Sequence, residues 1–134
     1  MRKKIILYCV ISIIALVMLF SCFVYLKKDK TSKDSGSFYV YLIDLEGIVV
    51  DKKEIMYQKG DTLVDVLKVE FDNFNMNNNG FLHSIGTLEE EKTQEKWIYI
   101  SIILDDEYSN KGLSQISLKD NMVIKFILEE YLYA

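Results

Sequence analysis

At 134 residues the chain holds one domain of ordinary size beside any accessory segment. The chain carries a net charge of −4, but all 20 acidic residues follow Leu26, against 13 of the 16 basic ones, and the net charge of 13 − 20 = −7 on that part argues against nucleic acid, whose binding surfaces need basic stripes to displace counterions. Both cysteines, Cys9 and Cys22, precede that point, so the remainder carries neither disulfide nor thiol chemistry; with no Asn-x-Ser/Thr acceptor either, the composition points to a bacterial cell-surface protein.

Ile5 to Leu26 are 22 consecutive residues without a charge, flanked by Arg2-Lys3-Lys4 and by Lys27, Lys28 and Lys30. As a helix rising about 1.5 Å per residue they span roughly 33 Å, enough to cross a hydrocarbon core of about 30 Å. Two fates fit residues 1–26. One is an uncleaved signal-anchor helix, in which Cys9 and Cys22 are small apolar residues. The other is a lipoprotein signal, because Met18-Leu19-Phe20-Ser21-Cys22 places a small residue before a cysteine to be lipidated; the bulky Phe20 and the apolar Phe23-Val24-Tyr25-Leu26 depart from that pattern. A very short basic N-tail stays inside, so both fates put the rest of the chain outside the cytoplasm, held to membrane lipid. Residues 27–37, KKDKTSKDSGS, have no apolar side chain to bury and read as a flexible tether of roughly 20 Å reach.

Residues 38–134 are the expected domain. Phe38 to Leu45 is rich in aromatic and branched residues and reads as a strand, turned by Glu46-Gly47 into a second strand, Ile48 to Tyr57. After Lys59-Gly60-Asp61, Thr62 caps a short helix reaching about Phe71, with Asp65 three residues on and Leu63, Val66 and Leu67 as its apolar stripe. Asp72 to Gly80, DNFNMNNNG, is a loop by composition. A short strand and the turn Ile85-Gly86-Thr87 follow within Phe81 to Leu88, then a charged connection from Glu89 to Lys96. Trp97 to Leu104 is the strongest strand; Asp105 to Gly112 reads as a polar loop, Leu113 to Leu118 leads to the turn Lys119-Asp120-Asn121, and Met122 to Leu128 begins the last strand. Helix and strands are segregated, which predicts an α+β fold: a β-grasp-like small sheet packed on one short helix, preceded by the hydrophobic N-terminal helix.

The hairpin, Gly60-Asp61-Thr62-Leu63, Ser84-Ile85-Gly86, Trp97-Ile98-Tyr99-Ile100 and Leu118-Lys119-Asp120 before a terminal strand together resemble a domain-of-unknown-function family of bacterial surface proteins, itself similar to the C-terminal β-domain of transcobalamin and intrinsic factor. The resemblance runs over most of Phe38 to Tyr131. It implies a β-grasp-like fold, an extracytoplasmic location and binding of a cobalamin-like or other small ligand. The chain departs from that family at Ile103-Leu104, where an Asn-Gly turn is common, and at Asn121-Met122, where Gly-Asp is typical.

Little in the residues themselves supports catalysis. His83 is the only histidine and has no second ligand at metal-binding spacing, so it reads as a surface or edge-strand residue, and neither a phosphate-binding Gly-rich loop nor a serine nucleophile elbow is present. Asn75-x-Asn77-x-Asn79-Gly80 has the spacing of half a calcium loop, but its twelfth position is Gly86 where a bidentate acid belongs, and an Asn-rich turn is the simpler reading. Asp105-Asp106-Glu107 reads as a solvated loop. No cofactor, metal or catalytic residue is therefore expected. Trp97 with Tyr99, and Tyr39 with Tyr41, alternate along their strands and so share a face in pairs. They are either cross-strand packing or a surface for a flat ligand, and are the expected ligand-binding residues. The sequence thus predicts a membrane-tethered, non-enzymatic module that binds a small ligand or a surface protein, the alternative being a structural or protein-interaction accessory domain of a cell-surface complex.

Overall fold

The computed structural model describes residues 2–27 and 30–133, with side chains over 2–20 and 30–133. Helix α1 (Arg2–Lys27) is apolar all round, and its side chains from Arg2 to Phe20 are exposed. A helix with no polar face and, over its described side chains, no protein packed on it is suited to lipid, and by length and composition this one is able to cross a membrane. The Cys22 side chain lies outside those described.

The remainder is α+β with a mixed sheet. Strand β1 (Gly36–Ile43) pairs antiparallel with β2 (Val49–Tyr57) and parallel with β9 (Val123–Leu132). On its other side β9 pairs antiparallel with β7 (Lys96–Leu104), whose far edge carries β6 (Glu91–Lys92) at one end and β8 (Glu107–Tyr108) at the other. A small separate sheet joins β3 (Asn75–Met76), β4 (Leu82–Ile85) and β5 (Leu88–Glu89).

The strands bury alternate residues because alternate side chains share a face. Phe38, Val40 and Leu42 of β1, Ile124 and Phe126 of β9, and Ile100 and Ile102 of β7 point inward. Helix α2 (Leu63–Glu70) covers them with Leu63, Val64 and Leu67. Its start is the one expected from sequence: Thr62 is extended, and its Oγ1 accepts from the Asp65 amide at 3.2 Å. The helix stops where Phe71 turns extended and buries its ring.

Several expectations need correcting. Glu89 to Lys96 is not merely a charged connection, since Glu91 and Lys92 form β6 against Ile98 and Trp97. Asp105 to Gly112 is not one polar loop either. Asp105 and Asp106 both take positive φ, 48° and 68°, closing a tight hairpin that returns as β8. Aspartate tolerates this left-handed region, and Asp105 Oδ1 anchors the turn by accepting from the Val123 amide at 3.0 Å. The stretch read as a tether is bonded to the domain from Lys30 onward. The Lys30 amide donates to Ser114 O at 3.3 Å, the Ser32 amide to Asp61 O at 2.8 Å, and the Ser32 hydroxyl to Gln58 O at 2.6 Å, burying Ser32. Gly36 and Ser37 already belong to β1.

Candidate binding face

The outer face of the main sheet carries the residues that do not point into the core. The register across β1, β9 and β7 sets Tyr39 beside Val123, Tyr41 beside Lys125, Tyr99 beside Glu129 and Trp97 beside Tyr131. All four aromatic residues expected from sequence are half-buried on this face, outside the core. They do not form one site. Lys125 and Glu129 stand four residues apart on β9, so the two aromatic pairs are separated by roughly 13 Å along the strand.

The Tyr39/Tyr41 end is flanked by cations. Lys52 Nζ lies 5.1 Å and Lys125 Nζ 6.0 Å from the Tyr41 ring centroid. The Trp97/Tyr99 end is richer. Their rings sit 4.8 Å apart at 42°, and Lys92 of β6 places Nζ 4.8 Å from the Trp97 ring. Trp97 Nε1 donates to Glu90 Oε1 at 3.2 Å, and the other Glu90 oxygen lies 3.0 Å from His83 Nδ1. The Tyr99 hydroxyl donates to Glu129 Oε2 at 3.1 Å, while Tyr108 of β8 donates to Glu129 Oε1 at 2.6 Å. Two carboxylates thus fix three aromatic rings, leaving a platform with alternating apolar and acidic character.

These contacts show in the ionisation of the phenols. Tyr99 is held above the ordinary tyrosine range first by burial, then by its hydrogen bond to Glu129 and that group's charge. For Tyr108 the Glu129 hydrogen bond is the leading cause of the same upward shift.

Glu129, Glu90, Tyr108 and Lys92 escaped the sequence reading. Glu129 was legible in principle, because Tyr131, Glu129 and Ile127 alternate on the last strand. Tyr108 was hidden by the aspartate turn, which lacks the Gly that marks such hairpins. His83 is an exposed residue of β4, as expected, and Glu90 orients its ring. Asn77 Oδ1 accepts from the Asn79 and Phe81 amides at 2.9 and 3.1 Å, so the Asn-rich segment is an Asx-type turn. Among the described residues no group of three or more His, Cys, Asp or Glu side chains converges. A polar crevice of about 670 Å³ lies elsewhere, between residues 31–35 and Tyr57, Leu118 and Asp120.

A family model described as Domain of unknown function (DUF4430) matches residues 60–130. That range takes in Trp97, Tyr99, Tyr108 and Glu129 but neither Tyr39 nor Tyr41. No curated protein matches the chain. Among solved structures, it is similar to the crystal structure of a proposed metal-binding protein from Ruminococcus gnavus ATCC 29149, with 17% identity and a TM-score of 0.53, over 72% of this chain and 98% of that one. At this identity the likeness concerns the fold alone.

Proposed function

We propose, from the premise that this chain belongs to the family Domain of unknown function (DUF4430), that it is a membrane-tethered, extracytoplasmic, non-enzymatic module of β-grasp-like fold that takes a small ligand on the Trp97/Tyr99 platform. Support for β-grasp-like topology is the central parallel pairing of β1 and β9, each flanked by an antiparallel neighbour, with α2 against the inner face. Support for tethering is α1, long and apolar enough to cross a membrane.

The observation that carries the binding reading is the Trp97–Tyr99 pair at 4.8 Å on a solvent-facing sheet, with carboxylates on either side already holding the rings in place. Side chains fixed before a ligand arrives lose little further freedom on binding. A flat ligand with hydrogen-bonding edges, of which a cobalamin-like corrinoid is one example, suits such a platform. The metal-binding description of the Ruminococcus gnavus protein adds metal ions as a class to test.

Trp97 is the only tryptophan, so intrinsic fluorescence of the full chain in detergent micelles reports directly on the platform. The expected result is a saturable change with one class among corrinoids, short glycans and divalent cations. Trp97→Ala then abolishes the matching thermal shift while the domain stays folded. Unfolding of that variant would make Trp97 a packing residue. Silence of the wild-type chain towards all classes would favour a protein-interaction role instead.

A further inference from the structure

The two edges of the main sheet are treated differently. β7 has its outer edge covered at both ends by β6 and β8, whereas among the described residues no strand pairs with the outer edge of the nine-residue β2. An open edge presents unpaired backbone donors and acceptors, and natural proteins generally block one or use it.

The direction of β2's backbone groups follows from its neighbours. The Tyr39 amide donates to Met122 O at 2.9 Å, so Tyr39 and Tyr41 aim their backbone groups at β9, while Phe38, Val40 and Leu42 aim theirs at β2. Their partners Ile55, Lys53 and Asp51 are therefore satisfied by β1. Lys52, Glu54 and Met56 turn theirs outward. The Lys52 amide accordingly finds only its neighbour Asp51, whose Oδ1 accepts from it at 2.8 Å.

We propose that this edge pairs antiparallel with β2 of a second copy of the chain, in the register that sets Lys53 opposite itself. That register puts Lys52 of each copy across from Glu54 of the other, twice, as hydrogen-bonded pairs. It also sets Val50, the extra residue of the β1–β2 bulge, opposite Met56, and these are 45% and 83% exposed in the single chain. Opposite charges and apolar side chains directly across from one another are what stabilise a strand pair. Registers centred on Lys52 or Glu54 set like charges against each other on the outer face. The Lys53 pair is tolerable because each Nζ already turns toward its own α2, lying 4.6 Å from the Phe71 ring centroid and donating to Glu70 O.

The symmetry also suits a tethered chain. The two-fold axis of such a pair stands perpendicular to the continuous sheet. Both copies then present their helix layer, with the docked residues Lys30 and Ser32, to one side, and both outer faces to the other. Two chains anchored in one membrane can pair without either being inverted. The inference is independent of what binds at Trp97.

Lys53 next to its symmetry mate occupies a non-hydrogen-bonded site with Cα atoms about 4.5 Å apart, within disulfide reach. In a Cys9→Ser, Cys22→Ser background, the full chain carrying Lys53→Cys in lipid vesicles is expected to form a covalent dimer under mild oxidation. Val69→Cys, at an α2 position 83% exposed, serves as the unpaired control and stays monomeric. Adding Lys52→Glu sets Glu against Glu twice and removes most of the crosslink, and adding Glu54→Lys to that variant restores it. A Lys53→Cys yield no greater than that of Val69→Cys, or one indifferent to the charge reversal, overturns the proposal. Energy transfer between N-terminally labelled chains, with residue 53 unaltered, applies the same charge-reversal test should Lys53→Cys fail to fold.

Discussion

Glu129 shows how much a single side chain settles on this surface. Its two oxygens accept from two phenols on different strands, so the β7–β8 hairpin is pinned to β9 by Tyr108 as well as by its backbone. Removing the charge while keeping the shape separates electrostatics from packing. In Glu129→Gln the Tyr108 phenol should fall back towards its ordinary range, and Tyr99 should fall part of the way, because burial still raises it. The sign for stability follows. A phenol raised in the folded state favours folding while neutral, and that contribution is complete below the unfolded value near 10 and is lost as the pH climbs through the raised value. Wild-type stability should therefore decline above about pH 10, and the decline should be shallower in Glu129→Gln. Phenolate absorbance followed against pH checks this, with Tyr57 as an internal reference. Tyr57 is raised by burial and by Asp120 and Asp34, and should titrate late in both proteins.

At the scale of elements, the core is held by alternation and the loops by close backbone crossings. Phe126 is fully buried among residues of β1, β7 and α2, and Phe126→Ala should destabilise the domain by about 3–5 kcal/mol in chemical denaturation. The segments 79–80 and 112–113 cross so closely that a Cβ on Gly112 would meet the Asn79 carbonyl, while the Leu113 amide donates to Gly80 O at 2.8 Å. Gly112→Ala should therefore cost at least the ~1–3 kcal/mol typical of overpacking, because the obstacle is backbone and cannot swing aside. A melting temperature within a degree of wild type would show that the crossing is slack. The Gly112 crossing had no local sequence signal, since a glycine in a polar stretch looks the same whether it turns the chain or admits another segment. By contrast β1, β2, α2 and β7 were legible because runs rich in aromatic and branched residues and the Thr62–Asp65 cap are local patterns. The pairing order was not. Nothing within β1 or β9 announces that they lie parallel and adjacent, and so nothing announces that Tyr99 would meet Glu129 while Tyr41 meets Lys125.

At the scale of the whole molecule, the point where the chain joins its domain decides which way the Trp97/Tyr99 face looks. Two residues separate Lys27, the end of α1, from Lys30, a span of roughly 10 Å at most. Lys30 is bonded beside Leu113–Gln115, a single 3-10 turn, and residues 31 and 32 beside Thr62 and Asp61 at the start of α2. Those elements lie on the inner side of the sheet, opposite Trp97. With α1 in a bilayer, the helix layer should face the lipid and the Trp97/Tyr99 platform should face water, where a ligand or partner arrives without competing with headgroups. Quenching of Trp97 in reconstituted vesicles tests this arrangement. Iodide added to the water should reduce the emission, whereas brominated lipid, which quenches only tryptophans at the bilayer, should leave it nearly unchanged. Strong quenching by brominated lipid with protection from iodide would mean that the aromatic face lies against the membrane, and would turn the platform from a ligand site into a lipid-docking surface.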